Sequence, residues 1–369
     1  MAPLEPWEKV LVSLGFKQTT HGQFTCVQCH GGVQSPDKDT AHTGLIVDPI
    51  NDSVGRCVLC HSDVTATFPD SLHASLSGYP VAMQSRSIPE NHPALQEAYN
   101  NHCASCHTTC SDCHISQPAH VGGGFLDGHN FVKTPPMTRT CTACHGSRVG
   151  DEYLGKHEGI PGDVHFRVGR MNCVSCHSGP DLHNTPEDAR GNRYWGEQSP
   201  ACTTCHTTVG QRGDPIPHHA LHDDKLSCQV CHSVSYTSCD GCHVAISETT
   251  GNPFYRTEAS YLTFIIGKNP LQNENRPYEY VPLRHVPASP TSYEYYGENL
   301  LPNFDLRPTW MYATPHNIQR FTPQTQSCNN CHGNPDLFLT ADKVKSEELK
   351  ANQSVIVDQV PAAIPIPGQ

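Results

Sequence analysis

The sequence predicts a mostly irregular, loop-rich fold with a few short helices and one small β-hairpin. Three observations lead there. Only 36% of the 369 residues are hydrophobic and 20 of those are Cys, so little aliphatic material is left for an interior. Pro (31) and Gly (28) are abundant, which favours turns over long elements. The length would suit two or three ordinary domains, but Leu, Ile, Val and Phe are too few to fill them. Something other than side chains must supply the core.

The expected elements are short. Residues 6–16 place Trp7, Val10, Leu11 and Leu14 on one face with Gly15 beyond them, which predicts a helix. Residues 93–101 open on Pro and read as a helix leading into Cys103. Residues 260–266 and 278–286 alternate in polarity around a Gly-Lys-Asn-Pro turn region, the pattern of a hairpin. Thr340 stands where it would cap a helix over 341–351. The segment 354–369 carries Pro361, Pro365 and Pro367 and reads as disordered, or as an arm lying on a neighbour.

All 20 cysteines fall in one pattern, C-x-x-C-H, repeated ten times. The copies are Cys26-x-x-Cys29-His30, Cys57-x-x-Cys60-His61, Cys103-x-x-Cys106-His107, Cys110-x-x-Cys113-His114, Cys141-x-x-Cys144-His145, Cys173-x-x-Cys176-His177, Cys202-x-x-Cys205-His206, Cys228-x-x-Cys231-His232, Cys239-x-x-Cys242-His243 and Cys328-x-x-Cys331-His332. This is the attachment signature of c-type haem: two thioethers tether the ring and the adjacent His binds iron from the proximal face. Zinc sites also use C-x-x-C pairs. His makes up 25 of the 369 residues, so its presence after the second Cys in all ten copies has no explanation in a zinc or disulfide framework. Ten covalently bound haems would also form the missing core, at about 37 residues each, and the apo-chain is expected not to fold alone.

Fifteen His lie outside the motifs, enough to give every iron a second imidazole. The distal candidates are His42, His73, His102, His129, His165, His183, His219, His222, His285 and His316, most of them in apolar or turn contexts near a motif. His21, His92, His120, His157 and His218 form a second tier. If every iron carries two His, none is open to a substrate, which favours electron transfer over catalysis.

The motif starts are spaced 31, 46, 7, 31, 32, 29, 26, 11 and 89 residues apart. Four regions follow: residues 1–100 with two motifs, a dense core at 101–250 with seven, an aromatic-rich stretch at 251–320 with none, and 321–369 with the last motif and the tail. The stretch without motifs holds eight of the 13 Tyr, expected to pack on porphyrin faces or a partner.

The net charge of −12 leaves no basic face for nucleic acid. No run of 18 apolar residues is present to span a membrane as a helix. Residues 1–14 carry Glu5, Glu8 and Lys9 where a signal peptide would be apolar, so the sequence reads as a mature or trimmed form of an exported protein.

With its ten motifs, the chain resembles the decahaem and other multihaem c-type cytochromes of respiratory and extracellular electron transfer. The closely spaced Cys103 and Cys110 motifs also resemble the octahaem enzymes related to tetrathionate reductase and hydroxylamine oxidoreductase. Those enzymes keep one open or Lys-ligated iron, whereas all ten motifs here end in His. The dense array is similar, too, to extracellular cytochromes that polymerise into haem wires. The resemblance implies an electron-transfer protein, not an enzyme. It would be extracellular or at the cell surface, with redox partner proteins, extracellular acceptors or further copies of itself as partners. The alternatives are a periplasmic or porin-bound shuttle, and a multihaem reductase or oxidase of a small nitrogen or sulfur compound.

Overall fold

The structure is a computed structural model. It describes the backbone of residues 5, 11–50, 55–104, 108–189, 200–222, 225–235, 237–263, 265–286 and 288–365, with side chains at those positions other than 120, 147–148, 188, 237–245 and 255–263. The chain gathers into two units that interleave in sequence. The first comprises Met1–Leu76, Ser105–Gly146 and Cys173–Arg190, and the second Ser77–Ala104, Ser147–Asn172 and Gly191–Gln369. These units cut across the four regions read from the sequence, since residues 250 and 320 both fall inside the second.

Most motifs build a helical turn. Cys26–His30, Cys110–His114 and Cys228–His232 are five-residue α-helices, and Cys141–Cys144 is a four-residue one. Cys57–Leu59, Cys173–Ser175, Cys202–Thr204 and Cys328–Asn330 are 3-10 turns. A helical turn sets residues i and i+3 side by side, the disposition that two tethers to one ring edge require. Helices this short are stable only with caps or external partners. Two begin in a capping box, Thr25 with Gln28 and Thr109 with Asp112.

Two motifs differ. Cys103 follows the helix His92–His102, as expected from the sequence, but Cys106 and His107 lie outside the described residues. The motif from Cys239 runs along strand β1 (Thr237–Ile246), which pairs antiparallel with β2 (Pro253–Thr263) and has register shifts between Thr237 and Cys239 and between Cys239 and Gly241.

The aliphatic core is confined to the second unit. Strands β3 (Ile265–Lys268), β4 (Tyr280–His285) and β5 (Trp310–Tyr312) form an antiparallel sheet in that order. Of the hairpin expected over 260–266 and 278–286, residues 265–266 lie in β3 and 280–285 in β4, which pair, with β5 added, whereas 260–263 belong to β2. Val281, Leu283, Trp310, Leu339 and Val355 are fully buried on it. Tyr312 and Tyr278 join this cluster, and Tyr293 and Tyr296 pack beside Leu95, Leu300 and Leu301. These tyrosines thus serve the unit's own core. In the first unit the described residues bury only Ile50, Phe68, Ile115 and Ala189 among the hydrophobics, and these form no cluster.

Three terminal expectations change. Of the helix read over 6–16, residues 6–10 lie outside the described set, and the chain from Leu11 turns helical only at Phe16–Gln18, as a 3-10 turn. The helix read over 341–351 is broken into Ala341–Lys343, Ser346–Glu348 and Leu349–Asn352 because Val344 leaves helical geometry to enter the core. The tail lies on its own chain: Val355, Ile356 and Val357 are buried, and the Val357 N–H donates to Leu339 O at 2.8 Å.

A buried histidine–carboxylate hydrogen bond closes this sheet. Glu348 Oε2 lies 2.8 Å from His285 Nε2 and accepts from Thr309 Oγ1 at 2.6 Å. Burial pushes the Glu348 carboxyl up, but the bonds from His285 and Thr309 outweigh it, and the net direction is down. A depressed folded pKa stabilises above the ordinary glutamate value and ceases to do so as pH falls through the folded value. The sheet is therefore expected to lose stability on acidification below the ordinary glutamate range. Glu348→Gln should be less stable at neutral pH and show a shallower acid slope in thermal melts. A variant with wild-type stability at pH 7 would contradict this. Chain produced without haem should also be digested rapidly across the first unit while 265–357 resists. Equal resistance of both would show that the first unit needs no cofactor core.

Candidate cofactor-binding sites

Seven motif histidines face a second imidazole that comes from outside the motifs. In the first unit the ring centres of His30 and His129 are 5.9 Å apart, those of His61 and His21 6.1 Å, His114 and His183 6.0 Å, and His145 and His73 6.1 Å. In the second, His206 and His165 are 6.0 Å apart, His232 and His219 6.2 Å, and His332 and His222 6.3 Å. The separations agree within 0.4 Å while the interplanar angles run from 24° to 78°. A stacking contact prefers particular angles as well as distances. Two imidazoles that bind one metal from opposite sides, each nitrogen about 2 Å from it, hold their ring centres about 6 Å apart and stay free to turn about their own bonds. The pairs have that signature.

The nitrogen that is held is equally regular. Nδ1 of His30 meets Ile46 O at 3.1 Å, His114 Val132 O at 2.7 Å, His232 Gln319 O at 3.1 Å and His332 Ala362 O at 3.1 Å. Among the partner rings, His222 Nδ1 meets His218 O at 3.1 Å, His165 Nδ1 meets Asp163 Oδ1 at 2.8 Å and His219 Nδ1 meets Asp214 Oδ2 at 2.7 Å. An acceptor at Nδ1 keeps the proton there and leaves the Nε2 lone pair for a metal. His129 has a buried Nδ1 with no partner among the described residues, and its backbone is held at φ +77°. A non-glycine residue in that region is kept there only by its surroundings.

Local structure positions the partner rings. Ser71 Oγ accepts from Ala74 N and caps the helix Leu72–Ser75 that carries His73. Ser178 and Asp181 form the capping box of Gly179–His183, and Asp163 caps Val164–Arg167 below His165. His219 and His222 share the helix Pro217–His222 but serve different motifs.

Four sequence-derived candidates are used otherwise or stand apart. His285 is 2% exposed and its Nε2 is taken by Glu348, which corrects the expectation that it reaches an iron. His102 Nε2 is 2.6 Å from Tyr296 Oη, so it too is engaged at the nitrogen a metal would need. His316 is half-buried, and its buried Nδ1 has no hydrogen-bond partner among the described residues; burial lowers its pKa, against Glu152, the Thr314 carbonyl and Asp163. His42 is exposed, with Nδ1 2.6 Å from Lys38 O. From the second tier, His21 is the ring partner of His61, and it stacks 3.9 Å over Phe131, a contact from distant sequence. The His243 and His120 side chains lie outside the described set.

The thiols show which motifs adjoin. Cys57 and Cys110 are hydrogen-bonded, which holds Cys57 down to about 7 and pushes Cys110 up. Cys141 with Cys173, and Cys228 with Cys202, repeat the arrangement. Cys29 lies near Cys57; Cys113, pushed up to about 12 by burial, lies near Cys141 and Cys144; and Cys231 lies near Cys331. The first unit therefore files its motifs in the order 26, 57, 110, 141, 173, and the second has the run 202, 228, 328.

The cysteines, the motif His and its partner ring together fit a haem: tethers beside one axial nitrogen, a second nitrogen opposite. Exposed apolar side chains flank them, with Leu59 inside a motif 75% exposed and Leu221 between His219 and His222 68% exposed, as expected of surface that a porphyrin would cover. Among the described residues no three His, Cys, Asp or Glu side chains converge on one point, whereas a structural zinc ion takes four ligands. No protein-family model, curated protein or solved structure matches this chain.

Proposed function

We propose that the chain is a decahaem c-type cytochrome that carries electrons along closely spaced, bis-histidine haems. The observation that carries this reading is the set of seven imidazole pairs, each setting a C-x-x-C-H histidine about 6 Å from a second ring. When bound, haem supplies one-electron exchange between ferric and ferrous iron. The chain does the rest. Paired cysteines would tether the group, the two imidazoles of each pair would hold its iron, and the acceptors at Nδ1 fix each ring and its tautomer. Filled axial positions favour electron transfer over reduction or oxidation of a bound substrate. The thiol contacts support a route through the motifs at 26, 57, 110, 141 and 173 in the first unit and those at 202, 228 and 328 in the second.

Covalent attachment of this kind takes place outside the cytoplasm, so the chain acts as an exported protein at or beyond the cell surface. It delivers electrons to redox partner proteins or extracellular acceptors and assembles end to end with copies of itself.

Haem assay on the intact protein should give about ten covalent haems per chain, as ten motifs require. His73→Ala should turn one haem high-spin in EPR without loss of covalent haem, whereas His285→Ala should leave the spin state unchanged. The opposite pattern would overturn the ligand set. Cryo-electron microscopy of native material should show filaments with continuous density for cofactors across subunit contacts. Discrete monomers would remove the end-to-end assembly and leave a soluble carrier.

A further inference from the structure

The acceptors at Nδ1 are of two kinds. Five are backbone carbonyls, neutral and on motif or partner rings alike. Two are carboxylates, and both serve partner rings in the second unit: Asp163 on His165 at 2.8 Å and Asp214 on His219 at 2.7 Å. Both carboxylates are shielded, with side chains 3% and 8% exposed. Both are also pinned. Asp163 accepts from His165 N at 2.8 Å and Ile318 N at 2.9 Å, and Asp214 accepts from Gly210 N at 2.8 Å and Ile216 N at 2.9 Å. Neither can swing away from the ring without giving up backbone bonds.

An anionic acceptor draws the Nδ1 proton towards itself and makes the opposite nitrogen a stronger donor. A stronger axial donor favours ferric over ferrous iron and lowers the reduction potential. The two motifs concerned, His206 and His232, also adjoin: Cys202 and Cys228 are in hydrogen-bonding contact. We propose that Asp163 and Asp214 are potential-setting residues that make the Cys202 and Cys228 haems an adjacent low-potential pair. Each iron gains or loses one electron and the Nδ1 proton stays in its hydrogen bond, so no proton transfer accompanies the step. An electron entering at this pair is passed on downhill, and the neighbouring motif in this unit is the one at Cys328, reached through Cys231 and Cys331.

The inference rests on the haem reading, and its test keeps the two apart. The experiment is spectroelectrochemistry on the intact haem-loaded chain, wild type beside Asp163→Asn, Asp214→Asn and the double variant. Asn keeps the shape and an oxygen acceptor but removes the charge. Each single variant should raise the potential of one haem in ten, shifting its oxidised-to-reduced ratio about tenfold, which for a one-electron couple is about 59 mV. Haem content and low-spin EPR should remain at wild-type values, readouts that a merely structural role would disturb. Superimposable curves from fully haem-loaded, low-spin variants would overturn the proposal. A wild-type chain without covalent haem would instead overturn the reading beneath it. Asp163 also holds Ile318, so if Asp163→Asn fails to mature, Asp214→Asn decides: a raised potential supports the proposal and an unmoved one rejects it.

Discussion

If each ring pair holds one metal from opposite faces of a planar ring, as proposed, its two imidazoles define an axis around which the chain is built. In the first unit little else among the described residues is available to set the fold, because the four buried hydrophobic residues described there form no cluster. The pairs His21–His61, His73–His145, His114–His183 and His30–His129 each close a loop of tens of residues. Loop closure costs entropy that grows only slowly with length, so a strong ligand bond can hold segments that are far apart in sequence. Short capped helices then suffice, since each has only to present one ring at one angle. A ring free to turn would lose that benefit, which is why a backbone acceptor on Nδ1 accompanies so many of them.

The second unit combines this scheme with an ordinary core. Its sheet buries Trp310, Leu283 and Leu339, and uses His285 as a polar strut against Glu348. The same residue type thus has two structural roles, distinguished by the nitrogen that is engaged. In the ring pairs the held nitrogen, where one is described, is Nδ1; in His102 and His285 it is Nε2, engaged by Tyr296 and Glu348, and His42, held at Nδ1 by Lys38 O, has no described ring pair.

The motifs are legible because the C-x-x-C-H spacing is local and repeats unchanged in all ten copies. Six of the ten distal candidates, His73, His129, His165, His183, His219 and His222, are in ring pairs. Apolar or turn context singles out these six, and five of them lie on short helices, which is their shared local signature. His285 shared the signature because a buried structural His sits among the same neighbours, and its Glu348 lies 63 residues away. His21 lacked it, because the ring that stacks on it belongs to residue 131. The carbonyl acceptors of Ile46, Val132, Gln319 and Ala362 were not legible, as any residue carries a carbonyl. Asp163 beside His165 could have been read, being two residues away and a helix cap. The buried run Val355 to Val357 was the overlooked sign that the tail belongs to the core.

The widest gap between motifs, 89 residues from Cys239 to Cys328, has a structural use. The chain leaves the motif region, builds β3, β4 and β5, and returns along residues 317–324 directly onto the Cys228 motif. Gln319 O receives His232 Nδ1, Thr322 Oγ1 donates to Cys231 O at 2.5 Å, and Gln324 Nε2 donates to Val230 O and Ser233 O at 3.2 and 2.8 Å. Val230 itself packs with Ile266 and Phe338 of the sheet module. The docked segment then delivers Cys328 and Cys331 beside Cys231. A sheet with its own hydrophobic core is rigid in a way that a loop of 89 residues is not. It fixes the last motif against one that lies far back in sequence. The stretch without motifs therefore acts as the spacer that makes a distant C-x-x-C-H a spatial neighbour, and its aliphatic core is the structural requirement for that neighbourhood.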